Sequence, residues 1–186
     1  MRSVAGLVLA GGAGRRYGRP KALVEVGGRL LVERALGTLR DAGCTPLVVV
    51  LGAAAATTRE RADLAGATVV VNDDWATGMG SSLRTGLAAL AQTDATAVVV
   101  LLVDTPGVTP EAVRLVRAYA GPAALVTATY HGQPGHPVLL GREHWDGVAA
   151  SARGDVGARP YLSTHPVTRV PCEAVADGTD LDEPVP

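Results

Sequence analysis

Short runs of consecutive apolar residues alternate along this chain with stretches in which apolar positions recur every three or four residues. The runs, rich in Val and Leu and bounded by turn residues, cover residues 4–9, 47–51, 68–71, 97–103 and 123–129. They read as strands buried on both faces. The periodic stretches, 30–42, 57–64, 81–91 and 109–120, read as helices. The last has a marked start, with Thr109 suited to the N-cap, Pro110 to the first helical position and Glu111 to the first turn. Such alternation predicts an α/β fold, three layers deep, with a mostly parallel sheet between helices. Beyond residue 129 the pattern becomes a turn and short strand over 130–140, a Gly-rich connection, and a short helix near 156–163. No repeat, linker or low-complexity segment interrupts it, so residues 1–186 are expected to form a single domain.

Composition narrows the function classes. Four Tyr, two Trp and no Phe leave the core to Val, Leu and Ala, and argue against stacking single-stranded nucleic acid on aromatic faces. A formal charge of −1 offers no attraction to phosphate backbones or anionic membranes. The longest apolar runs, 47–56 and 97–103, fall short of the ~18–20 residues of a membrane helix. The apolar stretch after Met1 is too short for a signal peptide and runs into Gly11-Gly12-Ala13-Gly14-Arg15-Arg16. Cys44 and Cys172 are isolated, as expected of free thiols in a cytoplasmic protein.

In open α/β sheets, ligands bind beyond the carboxyl ends of the strands. After the first strand come Leu9, Ala10, Gly11, Gly12, Ala13 and Gly14, then Arg15, Arg16, Arg19 and Lys21 with no acid before Glu25. Glycines let a loop turn tightly and present N–H groups to phosphate oxygens. The spacing is neither GxGxxG nor a P-loop. Lys21 is the only lysine; a compact ammonium is a mobile point charge for a polyphosphate, which the sixteen arginines do not replicate. After the third strand, residues 72–86 form a glycine loop opening onto a helix N-terminus, with Ser81 or Ser82 able to cap it. The fourth strand delivers Asp104, a hard carboxylate suited to Mg²⁺.

These segments resemble the MobA-like nucleotidyltransferases, which attach a nucleotide to molybdopterin, and more distantly the sugar-phosphate nucleotidyltransferases. The residues that carry the resemblance are LAGGAGRRYGRPK (9–21), NDDWATGMGSSLRTGL (72–87) and Asp104-Thr105-Pro106. Weaker matches are Gly135-His136-Pro137, Gly154-Asp155-Val156-Gly157-Ala158-Arg159 and the acidic segment 177–184. In the second segment Asp73 replaces the family's proline and Gly80 its first serine; in the last, Glu183 replaces a threonine. The resemblance implies a Rossmann-like fold of the nucleotide-diphospho-sugar transferase type. It implies nucleotide binding by Leu9, Ala10, Gly11, Gly12, Gly14, Arg15, Lys21, Asn72, Gly78, Ser81 and Ser82. Acceptor contacts fall to His136 and Arg159, and metal ligation to Asp104 with Asp180 or Asp182.

On that footing an acceptor phosphate attacks the α-phosphorus of an NTP and pyrophosphate leaves. Alignment and charge neutralisation carry the catalysis, with Mg²⁺ on Asp104, and Lys21 and Arg15 drawing charge onto the leaving phosphates. The implied partners are an NTP and a molybdopterin-type acceptor, together with a molybdoenzyme or its chaperone, and neither nucleic acid nor membrane. The downstream motifs resemble the cytidylyl branch, whereas Gly12, in place of an alanine, matches the guanylyl branch and leaves room for a purine; CTP is placed slightly ahead. With few aromatics, the base is expected to be read by backbone groups and small side chains. Two alternatives stay open: a sugar phosphate or other acceptor, and a non-catalytic nucleotide-binding regulatory module, which the altered segment 183–186 favours. A nicotinamide oxidoreductase ranks below these, because the second strand ends at Leu51-Gly52 with no acid for a ribose hydroxyl and the glycine spacing is wrong.

Overall fold

The computed structural model describes residues 3–184. Its first strand, β1 (Val4–Ala10), is buried along its whole length and pairs in parallel with β4 (Leu47–Leu51) on one side and β6 (Ala97–Leu102) on the other. Beyond β4 lies β5 (Ala67–Val71), also parallel. On the opposite side β8 (Gln133–Gly141) runs antiparallel to both β6 and β7 (Leu125–Tyr130), and β9 (Thr168–Pro171) adds a parallel edge to β7. The seven-stranded order is therefore β5-β4-β1-β6-β8-β7-β9, with β8 alone reversed. A two-residue-per-strand hairpin, β2 (Glu25–Val26) and β3 (Arg29–Leu30), stands apart from it.

Side chains along β1 alternate between two cores. Val4, Val8 and Ala10 face α1 (Leu31–Asp41) and α4 (Pro110–Arg117), while Leu7 and Leu9 face α3 (Met79–Leu90) and α5 (Trp145–Ser151). The sheet thus lies between two helical layers, because strands buried on both faces need helices over each. The expected three-layer α/β/α fold is present. Thr109 caps α4 as its sequence indicates, accepting from the Ala112 amide at 3.2 Å, with Pro110 next.

Several expectations shift. α2 spans Ala55–Arg61 rather than 57–64. β7 begins at Leu125, not 123, because the Ala124 amide closes a turn by donating to the Gly121 carbonyl at 3.1 Å. The strand expected as short within 130–140 is nine residues long: its Pro- and Gly-bearing half hides the apolar pattern, and the ladder to β7 slips at Thr127/Ala128. The helix near 156–163 shrinks to α6 (Arg159–Leu162). α5 and β9 have no strong periodicity: α5 carries Gly147, against which the Tyr161 ring packs, and β9 buries only Val170.

Candidate active site

The strand order reverses at β1, with β4 and β5 on one side and β6 on the other, and the loops after β1 and β6 open a cleft of about 360 Å³ there. Leu9, Ala10, Gly11, Gly12, Ala13, Gly14 and Arg15 form one wall of it. Gly14 holds φ +63°, and a Cβ there would land on the Arg19 carbonyl, so only glycine closes this turn. Gly11 lies against α3, where an added Cβ would stand 2.7 Å from the Ser82 hydroxyl oxygen. Gly12 faces open space. Arg15, Arg16 and Arg19 are exposed, Arg15 at the open edge of the cleft, whereas Tyr17 is buried with Val24 and Leu31 and anchors the loop from beneath.

Lys21 opens a 3₁₀ turn, Lys21–Leu23, and reaches across the cleft. Its Nζ lies 3.5 Å from Asp104 Oδ2 and 3.7 Å from Asp182 Oδ1. The second oxygen of Asp104, Oδ1, is enclosed and has no hydrogen-bond partner among the described residues. Residues 177–184 fold back along this loop: the Leu181 amide donates to the Asp104 carbonyl at 2.6 Å and the Asp177 amide to the Gly107 carbonyl at 3.1 Å. The Asp180 carboxyl is raised above its ordinary range, first by burial and then by the charges of Asp104 and Asp182, with Lys21 opposing. Of the sequence-predicted metal residues, Asp104 and Asp182 are thus brought together on the Lys21 ammonium, while Asp180 lines the adjoining cavity. Among the described residues no set of three or more His, Cys, Asp or Glu forms a ready-made cage. An unpaired carboxylate oxygen and surplus negative charge fit a divalent cation that keeps waters and takes its other ligands from substrate phosphates.

Two of the residues expected to bind nucleotide, Asn72 and Ser81, stand outside the cleft lining. Asn72 is buried beneath the cleft, donating from Nδ2 to Ser81 Oγ at 2.8 Å and Ser82 Oγ at 3.0 Å, and accepting from the Asp74 amide at 3.0 Å. Ser81 Oγ donates towards the Asp74 and Gly78 carbonyls. Their side chains shape the loop from behind, while Gly78 and Ser82 reach the cleft wall. Gly78, at φ +112°, packs against the Gly154 carbonyl and the Asp155 carboxylate. Sequence reasoning missed Trp75, Met79 and Asp155 as lining residues, and Trp75 supplies an aromatic wall that the scarcity of aromatics had argued against. Its position three residues after Asn72, inside the glycine loop, was the available signal.

A second cavity, about 450 Å³, adjoins the first through Leu9, Met79 and Leu102. His136, Arg159 and Asp180 line it, as does Arg169, which the sequence did not single out. The His136 imidazole is pushed down to about 4, first by burial and further by Arg159, with Asp104 pulling the other way. It is a neutral ring at ordinary pH, and the phenol of Tyr130 donates to its carbonyl at 2.6 Å.

A glycine cradle at the switch point, a lysine, and clustered carboxylates beside a second cavity define a nucleotide-binding α/β protein with room for two substrates. Residues 6–170 match the MobA-like NTP transferase domain, and the chain belongs to that family. It is 39% identical over 189 residues to the nicotine blue oxidoreductase of Paenarthrobacter nicotinovorans, covering 96% of this chain and 92% of that protein. It is 34% identical over 106 residues to a probable molybdenum cofactor guanylyltransferase of Opitutus terrae, covering 57% and 50%. The structure of Rv0371c from Mycobacterium tuberculosis, a complex with manganese, superposes at a TM-score of 0.76 with 31% identity over 91% of this chain and 88% of that one. The first of these relatives is named as an oxidoreductase, whereas the sequence placed one oxidoreductase type, the nicotinamide-dependent, below nucleotidyl transfer.

Proposed function

We propose that this chain, acting as one cytoplasmic domain, is a metal-dependent nucleotidyltransferase that joins an NTP to a phosphate-bearing acceptor of the molybdopterin type and releases pyrophosphate. The observation that carries this reading is the Lys21–Asp104 pair, a phosphate-sized cation held beside an unsatisfied carboxylate at the mouth of the glycine cradle. Backbone N–H groups of Gly11, Gly12 and Gly14 surround the triphosphate, while Lys21 and Arg15 hold its β- and γ-phosphates and stabilise the charge that grows there as pyrophosphate departs. Asp104, with Asp180 or Asp182, would hold Mg²⁺ or Mn²⁺. When bound, that ion supplies Lewis acidity and charge neutralisation at the phosphates. The acceptor takes the second cavity, with Arg159 on its phosphate and the neutral His136 as a hydrogen-bonding partner. Because a phosphate acceptor is already anionic, no strong general base is needed, and alignment does most of the work.

CTP is the favoured donor, supported by the cytidylyl-like segments 72–87 and 154–159. Gly12 and the partial guanylyltransferase relative support GTP instead. A pyrophosphate-release assay with each NTP, with and without molybdopterin and Mg²⁺ or Mn²⁺, tests the proposal. Turnover with one NTP and loss of it in Asp104→Asn are expected, and near-normal turnover in that variant would overturn the mechanism.

A second reading is favoured by the name of the relative that covers nearly the whole chain. In it the cradle grips the phosphates of a redox nucleotide, and the second cavity, walled by Leu83, Val100, Val138 and Leu140, takes the compound to be reduced. Oxidation of a reduced nicotinamide nucleotide without pyrophosphate release would select it.

A further inference from the structure

We propose a second anion site behind the Asp104 loop, on the opposite side from the nucleotide cleft, that takes a small phosphate-type oxyanion. A cavity of about 260 Å³ lies between α1, the start of α4 and the loop after β6, and Arg29 and Arg34 both line it. Neither guanidinium is neutralised: among the described residues neither forms an ion pair. Glu33, the nearest acid in sequence, spends its carboxylate on the backbone amides of Leu30 and Asp63 at 3.1 and 2.8 Å. Among the described residues Asp41 is the only acid on the wall, so these give the cavity two positive charges against one negative.

Most of the donors are uncommitted. Arg34 donates from Nη1 to the Val26 carbonyl at 3.3 Å and from Nη2 to the Pro106 carbonyl at 3.5 Å, while its Nε is enclosed with no partner among the described residues. Arg29 makes one long bond, 3.5 Å from Nη2 to the Glu33 carbonyl. Guanidinium N–H groups arranged as a fork match the oxygens of a phosphate, which an isolated carbonyl satisfies poorly. Thr38, one turn after Arg34 on α1, adds a hydroxyl.

The cavity also touches the nucleotide site. Leu102 and Val103 line both spaces, Pro106 lines only the rear one and Thr105 lines the rear one and the second cavity, so the strand end and loop that carry Asp104 are the partition. An anion that draws Arg34 away from the Pro106 carbonyl changes how this partition is held. Occupancy at the rear is therefore coupled to the position of Asp104.

Titration of the full chain with inorganic phosphate, followed by calorimetry and by amide shifts of Ala35 and Val108, which line only the rear cavity, tests the site. Lys21→Ala combined with Arg15→Gln removes both cations that line the front cleft and is expected to leave phosphate binding at the rear within about twofold. Arg29→Gln, an exposed position, and Arg34→Gln are each expected to weaken phosphate roughly tenfold, as befits a lost charge-assisted bond. Arg29→Gln keeps the test valid if Arg34→Gln fails to fold. A parallel titration with glycerol phosphate separates free phosphate from a phosphomonoester: equal affinity assigns the free ion, tighter binding the ester. No saturable binding of either, or binding lost in the combined Lys21→Ala and Arg15→Gln variant and retained in both Arg29→Gln and Arg34→Gln, would overturn the proposal.

Discussion

Substituting Gly12→Ala tests how the nucleobase is read. Gly12 is exposed on the cleft wall, and a Cβ built there meets no atom within 4 Å. The methyl therefore enters the space offered to the nucleotide without touching protein. Folding stability should change by no more than about 0.5 kcal/mol, or rise slightly because alanine has fewer unfolded conformations. The contrast with its neighbours is steep, since Gly11 would meet the Ser82 hydroxyl and Gly14 the Arg19 carbonyl. If a base edge abuts Gly12, the methyl penalises the larger purine. One carbon in a pocket discriminates by about 1–3 kcal/mol, and the open side of this cleft argues for the lower end, roughly tenfold. The measurement is the ratio of kcat/KM for CTP and GTP in both proteins, with a melting curve alongside. The expected outcome is a ratio shifted towards CTP at unchanged Tm. A ratio constant to within about twofold would show that Gly12 does not touch the base, and base selection would then fall to the Gly78–Ser82 segment and Trp75.

Gly14→Ala should cost about 1–2 kcal/mol for its left-handed backbone alone and more for the collision with Arg19, seen as a lowered denaturation midpoint together with loss of NTP binding. Asn72→Ala removes three hydrogen bonds from a buried side chain and should destabilise by about 2–4 kcal/mol in urea unfolding. A change confined to KM would instead make Asn72 a direct ligand contact. The His136 ring, ordinarily near 6.5, is depressed to about 4, so between these values the unfolded chain binds a proton that the folded one refuses. Stability should be full above pH 6.5 and fall as pH drops towards 4, by at most about 3 kcal/mol, and His136→Gln should flatten that slope.

Much of the fold was legible because buried parallel strands advertise themselves as continuous Val and Leu runs, and β1, β4 and β6 are such runs. β9 was not, because an edge strand with one buried residue leaves no run to see. The first glycine loop was legible in chemistry, since glycines and basic residues coincide after a strand. Its companions Asn72 and Ser81 were assigned to the ligand because a sequence does not reveal which way a side chain points; burial turned both inward. Trp75 was overlooked for the converse reason, since a count of aromatics says nothing of where one of them stands. The meeting of Lys21, Asp104 and Asp182 needs a fold-back of residues 177–184 that no local pattern encodes.

One scaffold carries relatives named as a guanylyltransferase and as an oxidoreductase, so the fold cannot choose between the two chemistries and the site must. A glycine cradle suits any nucleotide phosphate and discriminates nothing. The carboxylates do discriminate. Phosphoryl chemistry needs charge neutralised at the reacting oxygens, which makes Asp104 and its neighbours indispensable, whereas hydride transfer develops no charge there. Asp104→Asn removes one of those charges and leaves the shape of the cleft intact. Under nucleotidyl transfer, Mn²⁺ binding and pyrophosphate release fall together while a nucleotide added without metal binds about as before. A variant that still oxidises a reduced nicotinamide nucleotide at the wild-type rate would show instead that this carboxylate cluster is structural, and that the second cavity rather than the metal end of the first is where the chemistry occurs.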